Sequence, residues 1–161
     1  MKRLVLHWTG GNPHPNASDL KAYHALVDQD CERHWGDLAP EANLDISDGI
    51  YARHAGQFNT GAIGLALCGM RRAREHPFDP GPAPINMAQY EEGCRWAAEL
   101  CSTYGIKVSR ATVLLHSEVQ PRFGRGIYKW DVNWLPGMTK TGDHTEMGDA
   151  FRQRVAAHLE T

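Results

Sequence analysis

Two histidines, an aspartate and a lysine carry the chemistry that this 161-residue chain offers. His7 closes the apolar run Leu4-Val5-Leu6, and His116 closes the run Val113-Leu114-Leu115. Side chains alternate between the faces of a β-strand, so a histidine ending each run can turn into a shared cleft. Asp131 follows, with Lys129 two positions before it, a spacing that points both side chains the same way in an extended segment. Two imidazoles and one carboxylate make a zinc-binding set, and three protein ligands leave a fourth coordination position open. An open site is catalytic rather than structural, so His7, His116 and Asp131 together predict a metal-assisted hydrolase. A lysine beside such a centre can stabilise an oxyanion. Taken singly, a strand-end histidine is more often structural and a Lys-x-Asp pair more often solvated; the set carries the reading. Glu118, two residues after His116, reads either as a partner of that histidine or as an ordinary solvent-facing carboxylate.

These residues need elements to hold them. A first strand is expected over Arg3 to His7, then a loop broken by Gly10-Gly11, Pro13 and Pro15. Ser18 to Lys21 suits one helical turn. Tyr23 to Asp28 and Glu32 to Trp35 read as a hairpin turning at Gln29-Asp30-Cys31, and Ile50 to His54 as a further short strand. Ala62 to Met70 is almost continuously apolar, as a central strand covered on both faces would be. His76 to Pro84 holds four prolines and reads as a surface loop. Asn86 then starts a helix, with Gln89 completing a capping box three residues on. Met87, Tyr90, Cys94, Ala97, Cys101 and Tyr104 recur at helical spacing as its buried stripe, and Gly105 ends it. Asp149 to Leu159 is expected to form a last amphipathic helix. The pattern predicts a single domain of α/β type.

Composition narrows the function classes. At 18.0 kDa the chain supports one compact domain with a real core. A net charge of -2 makes no electrostatic claim on nucleic acid, and Arg71-Arg72 with Arg74 reads as a solvated loop. No apolar run approaches the length of a bilayer-spanning helix, so no membrane insertion is expected. Met1-Lys2-Arg3 precedes only three apolar residues, which implies cytoplasmic synthesis without a signal peptide. Cys31, Cys68, Cys94 and Cys101 lack metal-knuckle spacing and are expected to be reduced and mostly buried. Tyr23 offers a hydroxyl able to position water, while His24 must face the other way along a regular strand.

With these residues in view, the chain resembles the type-2 N-acetylmuramoyl-L-alanine amidases, a superfamily that includes phage amidase endolysins and the peptidoglycan recognition proteins. The matching segments are Leu6-His7-Trp8-Thr9, Tyr23-His24-Ala25-Leu26-Val27-Asp28, His54-Ala55-Gly56 with Asn59, Ala62-Ile63-Gly64-Leu65-Ala66-Leu67, His116-Ser117-Glu118-Val119 and Lys129-Trp130-Asp131. They run in the family's order across a core of about residues 4–137, with residues 138–161 as a helical extension. The resemblance implies a central mixed β-sheet flanked by helices with the zinc site in an open groove, one catalytic Zn2+ held by His7, His116 and Asp131, and hydrolysis of the amide between N-acetylmuramic acid and L-alanine. It implies Tyr23 and Lys129 as the catalytic pair, and His54 and Asn59 as groove-wall residues contacting substrate. The implied partner is peptidoglycan or a muropeptide, bound by a monomer. The implied setting is a phage-type endolysin that reaches the wall after release. Two alternatives are a non-catalytic peptidoglycan-binding module and a cytosolic muropeptide-recycling amidase. Ala66 stands where recycling members carry a catalytic glutamate, which favours the tyrosine-using branch. The family often has Pro-Gly directly after the third ligand, whereas here Val132 to Leu135 intervene before Pro136-Gly137.

Overall fold

The computed structural model describes residues 1–161. Five strands form one sheet: β1 (Arg3–Trp8), β2 (Ala25–Val27), β3 (Arg33–Trp35), β4 (Ala62–Leu67) and β5 (Val113–Leu115), in the order β3-β2-β4-β1-β5. β1 lies parallel to both β4 and β5, and β2 lies parallel to β4. Only the edge strand β3 runs antiparallel, so the sheet is mixed. Four helices accompany it: α1 (Ala17–Ala22), α2 (Met87–Tyr104), α3 (Val119–Phe123) and α4 (His144–Leu159).

Strand alternation divides the core. Leu4, Leu6 and Trp8 of β1 join Ile63, Leu65 and Leu67 of β4 in the main apolar cluster, with Tyr90, Cys94 and Ala97 of α2 and Phe151 and Val155 of α4. On the other face, Val5 and Ala62 meet Ala55, Phe58 and Val119 in a smaller cluster. That second face also carries His7.

Several expectations are corrected by the structure. Ile50 to His54 forms no strand, because Asn43 captures the segment from within: its Oδ1 accepts from Ala52 N and its Nδ2 donates to Ala52 O. The second strand shortens to Ala25–Val27, and the central one stops at Leu67 before Met70 turns at φ 71°. Met87 is exposed, not part of the buried stripe, since it stands in the first turn of α2 beyond the sheet's cover. The capping box of Asn86 and Gln89 and the left-handed Gly105 bound α2 as expected. The last helix begins at His144 instead of Asp149, because the Asp143 side chain accepts from Glu146 N and starts it a turn earlier. Three cysteines are buried and Cys31 is half-buried; all four are free thiols.

Candidate metal centre in an open groove

β1 delivers His7 at its C-terminal end, in register with Ala66 of β4. β5 ends one residue before His116, which opens the short 3-10 turn His116–Glu118. Asp131 arrives from an irregular segment anchored by Trp130, whose ring packs edge-on against Trp8 with centroids 5.0 Å apart. Lys129, Trp130 and Asp131 all line the groove. The chain then turns sharply at Val132, a buried residue with φ 64°. A β-branched residue in this region is strained, and it stands where a tight reversal follows the carboxylate.

Three donor atoms converge. His7 Nδ1 lies 3.0 Å from His116 Nδ1 and 3.3 Å from Asp131 Oδ2, and His116 Nδ1 lies 3.0 Å from the same oxygen. Tetrahedral zinc with bonds of about 2.0–2.1 Å places its ligands about 3.3 Å apart, so the spacing fits the ion.

The protonation of His7 follows from a relay behind it. The Ala62 carbonyl can only accept, so His54 Nε2, 3.0 Å away, must carry its proton. A neutral His54 then offers Nδ1 as an acceptor to His7 Nε2, 2.9 Å away. His7 is thereby left with a bare Nδ1 lone pair aimed at the triad. Burial, and then the neighbouring imidazoles, hold His54 well below its ordinary value. Burial likewise brings His7 down to about 4, with His116 as the next cause, so both rings are neutral at pH 7. Burial alone would raise Asp131, but His116, through its charge and its hydrogen bond, outweighs it and holds the carboxyl well below the usual range. A bare nitrogen facing an ionised carboxylate in a buried site is a donor set that suits a divalent cation.

The groove over this triad encloses about 510 Å³. Tyr23 lines it, with its ring 5.2 Å from that of His7, and burial followed by the charge of Asp131 raises its hydroxyl, keeping it protonated. Arg53, Arg125 and Lys129 complete a predominantly cationic rim. His54 forms part of the wall, yet both its ring nitrogens are engaged within the protein. Asn59 is not among the residues lining the groove; its Oδ1 accepts from Ala55 N and its carbonyl receives Asn43 Nδ2. His24 is buried behind the site, bound to Asn43 Oδ1 and the Gly64 amide.

Glu118 differs from both of its sequence readings. It is fully buried, accepts from Leu115 N at 2.9 Å and takes both guanidinium nitrogens of Arg152 at 2.9 Å. Gly148 of α4 makes room for it, since a Cβ there would lie 2.3 Å from the carboxylate. No sequence signal linked Glu118 to an arginine 34 residues away.

A parallel-centred mixed sheet with a two-histidine, one-aspartate triad at the floor of an open groove defines an α/β domain built around a candidate metal centre. The chain belongs to the N-acetylmuramoyl-L-alanine amidase family Amidase_2, whose model matches residues 1–131. Among solved structures, the hydrolase AmiA of Staphylococcus aureus, in complex with its ligand, is similar at 14% identity. The match covers 99% of this chain and 75% of that one, with a TM-score of 0.61. A point mutant of PlyL is 19% identical over 97% of this chain and 85% of its own, with a TM-score of 0.56. The N-acetylmuramyl-L-alanine amidase AmiD of E. coli, in complex with anhydro-N-acetylmuramic acid-L-Ala-D-γ-Glu-L-Lys, is 23% identical at a TM-score of 0.53. That match covers 76% of this chain and 51% of AmiD. These likenesses concern the fold. No curated protein sequence matches the chain, and no helix is long and apolar enough to cross a membrane.

Proposed function

We propose that the protein is a zinc-dependent peptidoglycan amidase that cleaves the bond between N-acetylmuramic acid and L-alanine. The observation that carries this reading is the convergence of His7, His116 and Asp131 within 3.0–3.3 Å beneath a groove that Tyr23 and Lys129 also line. His7 and His116 through Nδ1 and Asp131 through Oδ2 would hold the ion. Bound there, zinc supplies Lewis-acid activation of water and of the scissile carbonyl. The protonated Tyr23 hydroxyl orients the attacking water over the triad. The Lys129 ammonium faces the carbonyl oxygen and stabilises the negative charge it gains, a contribution typically worth about 3 kcal/mol from one well-placed donor. His54 positions His7 and fixes its tautomer, so its role is one step removed from substrate. Ala66, buried beside Leu26 and Cys68, cannot act as an acid or base, which supports the tyrosine-using branch and a phage-type lytic setting over muropeptide recycling.

Mass spectrometry of the soluble products from purified peptidoglycan, with and without a zinc chelator, tests the proposal. Stem peptides beginning at L-alanine, lost on chelation and restored by zinc, are expected. Undigested sacculi that retain bound protein would replace the enzyme reading with a recognition module. Products cut between stem-peptide residues would overturn the assigned bond.

A further inference from the structure

The two histidines of the centre are held in different ways. His7 is oriented through its ring, since His54 Nδ1 meets its second nitrogen at 2.9 Å. His116 offers Nδ1 to the triad, and no protein group hydrogen-bonds its Nε2. With no partner behind the ring, its approach depends on the backbone that carries it. That backbone is the 3-10 turn His116–Glu118, which opens directly at the end of β5. Glu118 closes the turn: its Oε2 accepts from Leu115 N, the residue before the ligand, at 2.9 Å.

Arg152 clamps this turn from α4. Its Nη1 donates to Glu118 Oε2 and to Val113 O, both at 2.9 Å, and its Nη2 donates to Glu118 Oε1 at 2.9 Å. One planar guanidinium thus ties the strand just before His116 to the carboxylate just after it. The fork is fixed from its far side as well. Nη2 donates to Asp149 Oδ1 at 2.8 Å, and Arg110 holds both oxygens of Asp149. Glu118 is fully buried and Arg152 is 6% exposed, so water competes little for these contacts. Arg122 also donates to Glu118 Oε1, at 3.1 Å, but does not reach the Val113 carbonyl. Two arginines therefore supply charge to Glu118, and one of them also grips β5. We propose that Arg152 is a positioning residue for the metal ligand His116, acting through Glu118 and the Val113 carbonyl. The inference rests on reading His7, His116 and Asp131 as a zinc centre, and not on which bond the enzyme cleaves.

Arg152→Lys in the full chain tests the role. The ammonium keeps a positive charge against Glu118 but, as a point donor, cannot span both carboxylate oxygens and the Val113 carbonyl. The folded variant should bind Zn2+ about tenfold more weakly in chelator competition, and its Co2+ form should show an altered visible spectrum. Val155→Ala, in the apolar core on the same helix, is the control for lost stability. Its urea midpoint should fall while its zinc affinity and Co2+ spectrum match those of the wild type. Should Arg152→Lys fail to fold, Glu118→Leu combined with Arg152→Met removes both buried charges together, the change that buried pairs tolerate best. It still leaves the Leu115 amide without its acceptor, so the same weakening is expected. Wild-type zinc affinity and Co2+ spectrum in the folded variant, or an equal change in Val155→Ala, would overturn the positioning role. A wild-type protein that binds no zinc would remove the metal-centre reading and this role with it. Weakened zinc binding by the variant, in a protein that hydrolyses no muropeptide, would leave the role standing and remove only the amidase reading.

Discussion

Along β4, Ile63, Leu65 and Leu67 point toward α2 and α4, whereas Ala62, Gly64 and Ala66 point toward the histidine layer. The first set fills its side of the sheet with branched aliphatic volume. The second set is small, and the space it leaves holds imidazole rings. At Gly64 the fit is strict, since a Cβ would lie 2.4 Å from Cγ of His54. One face thus gains apolar burial, and the other gives it up for hydrogen-bonded rings that present one bare nitrogen to the groove. Stability should reside mainly on the α2/α4 face and chemistry on the other.

Substitutions can break that division. On the chemical face, His116→Ala should lower muropeptide turnover by about a thousandfold or more by removing a ligand. The urea midpoint of the metal-free protein should hardly move; a large fall would mean that the ligand is also a structural pillar. On the packed face, Leu65→Ala should cost about 2–5 kcal/mol in urea unfolding while zinc affinity of the folded protein is unchanged. A matching loss of zinc affinity would show that the two faces are coupled through β4.

Acid probes the histidine layer as a whole. His7 titrates at about 4 when folded against 6.5 ordinarily, so the unfolded chain takes up its proton first. Stability from this group is complete above about pH 6.5, falls as the pH drops toward 4 and levels off below it. The loss should approach roughly 3 kcal/mol for His7 alone, read as a falling melting temperature in chelator. A flat profile between pH 6.5 and 4 would contradict the buried, neutral ring. The smallest expected effect is that of His54→Phe, which keeps a ring against Gly64 but leaves His7 Nε2 without its acceptor. Zinc affinity should fall about 10- to 100-fold, measured by chelator competition. Unchanged affinity would show that the relay does not set the ligand geometry.

Much of this division was legible in the chain. The runs ending at His7 and His116, the apolar stretch from Ala62 and the capped helix after Asn86 all declare themselves through local patterns that the fold keeps. Lys129 and Asp131 both line the groove, with Trp130 between them docked on Trp8. What stayed hidden depends on contacts between distant segments. Asn59 sits in the family-like stretch after His54, but its side chain is drawn to the Ala55 amide. His54 itself reads as a wall residue until His7 and Ala62 are seen to engage both of its nitrogens. Ile50 to His54 has strand-like composition, yet one buried asparagine from outside the segment decides its path.

Glu118 and Arg152 carry a last consequence, for where this protein can be cut. The family match ends at Asp131, and every residue of the candidate centre and groove lies within it. Arg152, which neutralises the buried Glu118 beside His116, lies beyond it on α4, together with Phe151 and Val155 of the main core. A fragment trimmed to the match would keep the whole donor set, but would leave Glu118 with Arg122 as its one remaining arginine and uncover the core face that Phe151 and Val155 fill. The segment that kinship recognises is shorter than the segment that must fold.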